Sequence, residues 1–315
     1  MYLVKYQFLK KLLAILLIVS IFYFLGAQLF KNWRELSNYD LKVNFTLLGI
    51  SFILLPINFG IYALVWNKIL KLFNISLSCK KCFKIIYLSQ LAKYIPGKVL
   101  LYFWLVYLSE GEGIRKSHTV LSLLLQTGFY AISCIFIFWL SYFLWPSMHL
   151  LISLTSVFFI LLALILLHPK IFNLLLNFFL RKIKKNTIKL NYKYNQVLLI
   201  FLISILNRII YMIGLYFLIK SFYNINLIQL LIFTGISAIS WLAGYLSFIT
   251  PAGLGIREGT QTLLLSAFVP LPIAIIISLA ERVWITLGEI GCALISLKIG
   301  NDVQKNYNHE FIREK

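Results

Sequence analysis

The feature that most limits what this chain can fold into is a series of uninterrupted apolar runs. Six of them, at residues 12–30, 45–66, 120–144, 150–167, 197–219 and 272–297, are each at least 18 residues long and carry few charges. A helix needs about 20 apolar residues to cross a bilayer. Inside lipid every backbone N–H and C=O must be satisfied within the protein, which leaves helices or closed barrels. A barrel requires alternation at every second residue; these runs are continuous. The chain is therefore expected to be an all-α, polytopic membrane protein. The hydrophilic stretch at 181–196 is the longest, too short for a soluble catalytic domain.

Lys plus Arg number 30 against 10 Asp plus Glu, for a formal charge of +20. In a soluble protein this excess would point to nucleic acid. Here the basic residues gather in loops between apolar runs. Residues 67–84 hold five lysines, and 168–196 hold seven basic residues. This is the positive-inside pattern, and no nucleic-acid partner is expected. Both termini then lie on the cytoplasmic side of a plasma or inner membrane. The charged start before residues 12–30 resembles a signal peptide, but the run is long and no small-x-small cleavage site follows, so it is read as an anchor helix. Cys79 and Cys82 form a lone C-x-x-C without two further ligands nearby, and the four histidines are scattered. No metal or cofactor is expected.

Two further apolar segments, 85–109 and 227–269, are interrupted. The first carries Tyr94-Ile95-Pro96-Gly97-Lys98. The second carries Pro251-Ala252-Gly253-Leu254-Gly255-Ile256-Arg257-Glu258-Gly259. A helix from 85 to 96 would be only about 17 Å long, roughly half a bilayer. Each break reads as the tip of a re-entrant hairpin, since broken backbone at depth is tolerated only where protein or a water-filled cavity covers it. Asn74-Ile75-Ser76-Leu77 precedes the first hairpin and Asn224-Ile225-Asn226-Leu227 the second. The chain thus divides into repeats 1–145 and 146–300 and a cytoplasmic tail, 301–315. Each repeat reads span, span, hairpin, span. Three crossings per repeat invert the second relative to the first, a recurrent transporter plan. The arm 227–249 is long enough to span by itself, which leaves an eight-span reading open beside six spans plus two hairpins.

Ionisable groups at membrane depth are functional candidates. Arg208 lies 11 residues from either end of its run, about 16 Å from each surface. It either pairs with Glu281 or Glu289, locking two helices, or binds an anionic head group. Arg257 and Glu258 open a helix just after Gly253 and Gly255. Free N–H groups at a helix start suit an anion, and a guanidinium adds a fork suited to phosphate. The alternative is a tight turn in which the two residues pair locally or face solvent. Lys98 flanks the tip of the first hairpin. Glu281 and Arg282 lie in the last run, where they pair locally, orient the other arginines or, in the case of Glu281, carry a proton.

The Tyr94–Val99 stretch, the Pro251–Gly259 stretch and Glu281-Arg282-Val283-Trp284-Ile285-Thr286-Leu287-Gly288-Glu289 together resemble the flippase-like membrane domain of the lysylphosphatidylglycerol synthase family. The resemblance implies an inner-membrane protein that moves lipids or polyprenyl-linked lipids between leaflets. The family's bifunctional members add a soluble aminoacyl-transferase domain; this sequence ends at Lys315 without one, so lysyl-lipid synthesis is not expected of it.

The leading expectation is a flippase or scramblase for an anionic or phosphate-linked lipid, not an enzyme. Its site residues are Lys98, Arg208, Gly253, Gly255, Arg257, Glu258, Glu281 and Arg282. Its partners are membrane lipids, with a homo-oligomer or a synthase partner left open. An accessory subunit of an envelope-building pathway and a small-solute transporter are the alternatives. A membrane transferase would need paired carboxylates or metal ligands; the two aspartates lie outside the spans, and Glu110 and Glu112 share a loop.

Overall fold

The computed structural model describes residues 42–90, 92, 99–145, 193–247 and 250–313, together with isolated positions at 23, 26, 27, 30, 158, 174 and 177. The described chain forms eight α-helices: α1 (Phe45–Leu72), α2 (Cys79–Gln90), α3 (Val99–Glu110), α4 (Lys116–Tyr142), α5 (Tyr194–Lys220), α6 (Leu227–Leu246), α7 (Ile256–Leu265) and α8 (Leu271–Arg313), with a 3-10 turn at Pro251–Gly253. No strand occurs among the described residues. Apart from those isolated positions, the expected spans at 12–30 and 150–167 lie outside the described residues, as does the first hairpin's tip.

Five helices are long and apolar enough to cross a membrane: α1, α4, α5, α6 and the Leu271–Lys298 part of α8. Their outer faces stay apolar, as at Ile53, Leu124 and Val283, which are 67%, 60% and 56% exposed. Apolar side chains at that exposure belong against lipid rather than water. The helix ends follow local chemistry. Asn44 starts α1 by accepting from the N–H groups of Thr46 and Leu47. Asn226 and Gln229 form a reciprocal capping box at the start of α6, at 2.8 and 3.0 Å. At the end of α1, Ile75 N–H donates to Leu70 O and Asn74 N–H to Lys71 O. This is a Schellman closure, with Asn74 at φ 58° in the left-handed conformation that asparagine tolerates.

The two helices that the expected repeats make equivalent, α1 and α5, run antiparallel. Helix α1 packs along α5. Asn44 N–H donates to Ser221 O at 2.6 Å. Fourteen residues further along α1 and fourteen back along α5, Asn58 Nδ2 donates to Asn207 O and Asn207 Nδ2 to Asn58 O, both at 2.6 Å. The equivalent helices therefore run antiparallel and meet at their midpoints through a reciprocal pair. The remaining packing obeys the same exchange: α4 lies against α6, as α8 lies against α2.

The second hairpin has unequal arms. Helix α6 has 20 residues and α7 has 10, about 30 and 15 Å. Thr262 meets Ser278 at 2.8 Å and Glu258 meets Arg282 at 3.5 Å, so α7 runs antiparallel to α8. That register sets the start of α7 level with the residues just past Arg282, midway along the 28-residue apolar stretch of α8. The tip thus lies level with the middle of the apolar stretch of α8, although α6 alone is long enough to span.

Candidate functional site

The tip is built on glycine. Ala252, Gly253 and Gly255 all have positive φ, at 51°, 69° and 84°. A Cβ on Gly253 would come within 2.6 Å of Gly244 O. Only glycine allows the two arms to approach this closely. Glu258 then turns back to the tip and accepts from Gly255 N–H at 2.6 Å. The anion at the start of α7 is thus the chain's own carboxylate.

Adjacent residues of α7 pair with adjacent residues of α8. Arg257 forms an ion pair with Glu281, and Arg282 Nε lies 3.5 Å from Glu258 Oε1. Neither the local pairing nor the solvent-facing turn left open by the sequence occurs. Glu281 is fully buried. Beyond Arg257 its carboxylate accepts from Tyr211 Oη at 2.5 Å, Ser237 Oγ at 2.6 Å and Gln261 Nε2 at 2.6 Å. Its donors come from α5, α6 and α7, so one carboxylate on α8 ties together four helices.

Arg208 is held differently. It is 2% exposed at the centre of α5. Its guanidinium lies 3.8 Å over the Tyr130 ring, with Trp241 at 5.5 Å and Tyr211 at 5.8 Å, and it donates to Cys134 Sγ. Tyr130 and Cys134 are one turn apart on α4 and form its bed. Its Nε has no hydrogen-bond partner, and it has no carboxylate partner among the described residues. The sequence-level alternative of a pair with Glu281 does not form, because Glu281 is saturated by Arg257 and its neutral donors. The imbalance is physical. A desolvated cation–π contact contributes about 2 kcal/mol, whereas burying an ion costs several.

These groups surround a cavity of about 200 Å³ to which every described helix contributes. Among the described residues its charged lining is Arg208, Arg257, Arg282 and Glu289, three guanidiniums to one carboxylate. The structure thus brings together seven of the eight residues singled out in the sequence: the three arginines on the cavity wall, Glu258 and Glu281 behind them, and Gly253 and Gly255 at the tip. Lys98 lies outside the described residues. Sequence reasoning missed the aromatic bed (Tyr130, Tyr211, Trp241) and the amides Asn207 and Gln126. Amides in apolar spans are a signal, because burying them unpaired is costly; aromatic residues in such spans carry none. Glu110 and Glu112 form no carboxylate dyad, since Lys116 and Lys81 bind them at 3.4 and 2.7 Å.

An all-helical set of described residues, with five helices long and apolar enough to cross a membrane, exposed apolar faces and a polar cavity beside a broken helix, defines a polytopic membrane protein. More narrowly, the chain belongs to the family described as the lysylphosphatidylglycerol synthase TM region, which it matches over residues 11–287. Comparison with curated proteins and with solved structures gives no match.

Proposed function

We propose that this protein is a flippase-like transporter that moves an anionic or phosphate-linked lipid between the leaflets of the plasma or inner membrane, with both termini cytoplasmic. The observation that carries this reading is Arg208, a buried cation without a carboxylate partner among the described residues, facing a cavity where the two inverted halves meet. An anionic oxygen entering the cavity supplies the missing countercharge. Arg257 and Arg282, braced by Glu281 and Glu258, hold the positive field without having to reorganise. The repeats are taken as 1–145 and 146–300. No bond-making chemistry is assigned to the site, and movement is passive or ion-coupled, since the sequence contains no phosphate-cradling nucleotide loop.

The test is leaflet exchange of labelled phospholipids and of a polyprenyl phosphate in liposomes containing the purified protein, beside Arg208→Gln. Exchange of one lipid class that falls at least tenfold in the variant supports the proposal. Absence of exchange for every lipid, from protein that is folded and monodisperse, removes it.

A further inference from the structure

The helices that follow the two breaks are anchored unequally. Helix α7 buries Arg257, Glu258, Gln261, Thr262 and Leu265 of its ten residues. Its polar side chains reach Ser278, Glu281 and Arg282 on α8. Helix α3 has twelve residues, of which Leu105 and Ser109 are buried. Ser109 Oγ donates to Leu105 O within the helix itself. Phe103, Trp104 and Tyr107 are 62%, 42% and 59% exposed, and their rings meet one another rather than the bundle. Helix α3 packs against α2 and α4. Across the cavity, its hydrogen bond among the described residues is a phenol pair, Tyr102 Oη and Tyr245 Oη of α6, 3.2 Å apart. Both tyrosines line the cavity, with Leu101 and Leu105 of α3 and Trp241 and Gly244 of α6. At its other end α3 leads into Glu112, which pairs with Lys81 near the start of α2 at 2.7 Å.

From this asymmetry, and resting on the lipid-transport reading above, we infer that α3 is the moving arm of the transporter and the seam between α3 and α6 its lateral lipid portal. The arm swings about its Lys81–Glu112 end and parts Tyr102 from Tyr245. The head group then passes sideways into the cavity while the acyl chains stay in the bilayer. One hydrogen bond contributes about 0.5–1.5 kcal/mol, so the latch opens at modest cost. The second hairpin is the fixed wall, because moving α7 would strip Glu281 of Arg257 and Gln261. Elements that move are drawn from those with few buried contacts, and α3 fits that description where α7 does not. The outer side of the seam suits acyl chains: Phe103 and Trp104 flank it on α3, and Leu246, 57% exposed, on α6.

The experiment follows the arm and then stops it. The full chain carries Cys79→Ser, its other three cysteines being buried, with spin labels at Phe103→Cys and Leu246→Cys, in lipid nanodiscs. The distance between labels is expected to fall into a closed and an open population. Tyr102→Phe and Tyr245→Phe are each expected to raise the open population about two- to tenfold, the worth of one hydrogen bond. Their combination is expected to add nothing further, since both remove the same bond. A single distance that neither variant alters overturns the inference, whether or not the protein moves lipid. In liposomes, a flexible bis-methanethiosulfonate linker between Tyr102→Cys and Tyr245→Cys is expected to stop leaflet exchange of labelled lipid, and reductant to restore it. The same linker between Asn44→Cys and Ser221→Cys is expected to leave exchange intact. Exchange that persists through the α3–α6 tether, or stops equally with both tethers, overturns the inference and leaves lipid transport standing. Exchange of no lipid by the unsubstituted protein removes the transport reading and the portal with it, even where the arm moves.

Discussion

The three cavity arginines have the same charge but different duties, and substitution separates them. Arg257→Ala strands Glu281 in the interior, and breaking a buried pair from one side costs about 3–5 kcal/mol. Its melting temperature in detergent is expected to fall sharply, and Arg257→Leu combined with Glu281→Leu is expected to recover part of the loss. Arg208→Gln removes a cation that has no carboxylate partner among the described residues. It is expected to leave the melting temperature nearly unchanged while abolishing lipid exchange. Equal destabilisation by the two arginine substitutions would contradict this division. The arginines themselves are legible in the sequence because charge is rare in apolar runs. Which one is saturated is not, because Glu281 lies 24 residues from Arg257 and 73 from Arg208, and only packing chooses between them.

At the scale of the element, the second hairpin depends on contact between its arms. Gly253→Ala forces a Cβ against the Gly244 backbone at a positive φ. It is expected to lower thermal stability by well over the roughly 1 kcal/mol of a tolerated glycine replacement. Gly49→Ala is the control, since nothing lies within 4 Å of a Cβ there, and it is expected to be neutral or slightly stabilising within its helix. Melting curves of the two variants check this. The break at 251–259 is visible in the sequence through its proline and glycines. The level of the tip is not, because a 20-residue apolar helix has the same composition whether it crosses the membrane or stops beside a tip. The Thr262–Ser278 and Glu258–Arg282 contacts set the depth.

At the scale of the molecule, the inversion makes a direct prediction. In a Cys79→Ser background, Asn44→Cys with Ser221→Cys is expected to cross-link on mild oxidation, because those backbones touch at 2.6 Å. Leu72→Cys with Ser221→Cys, the pairing of a parallel arrangement, is expected not to; the reverse outcome would exclude antiparallel equivalent helices. The sequence by itself determined the helical membrane class, the break at 251–259 and the rare buried charges. Each of these is a local property: hydrophobic length, a residue that cannot continue a helix, an ion where ions are costly. Only the tertiary structure decided that Asn58 and Asn207 meet reciprocally at the crossing of the halves, that Glu281 saturates itself on α5, α6 and α7, and that Arg208 is left over an aromatic bed. Those outcomes depend on which helix faces which. In a chain apolar on nearly every face, hydrophobic periodicity does not carry that information, and the few polar contacts between distant residues do.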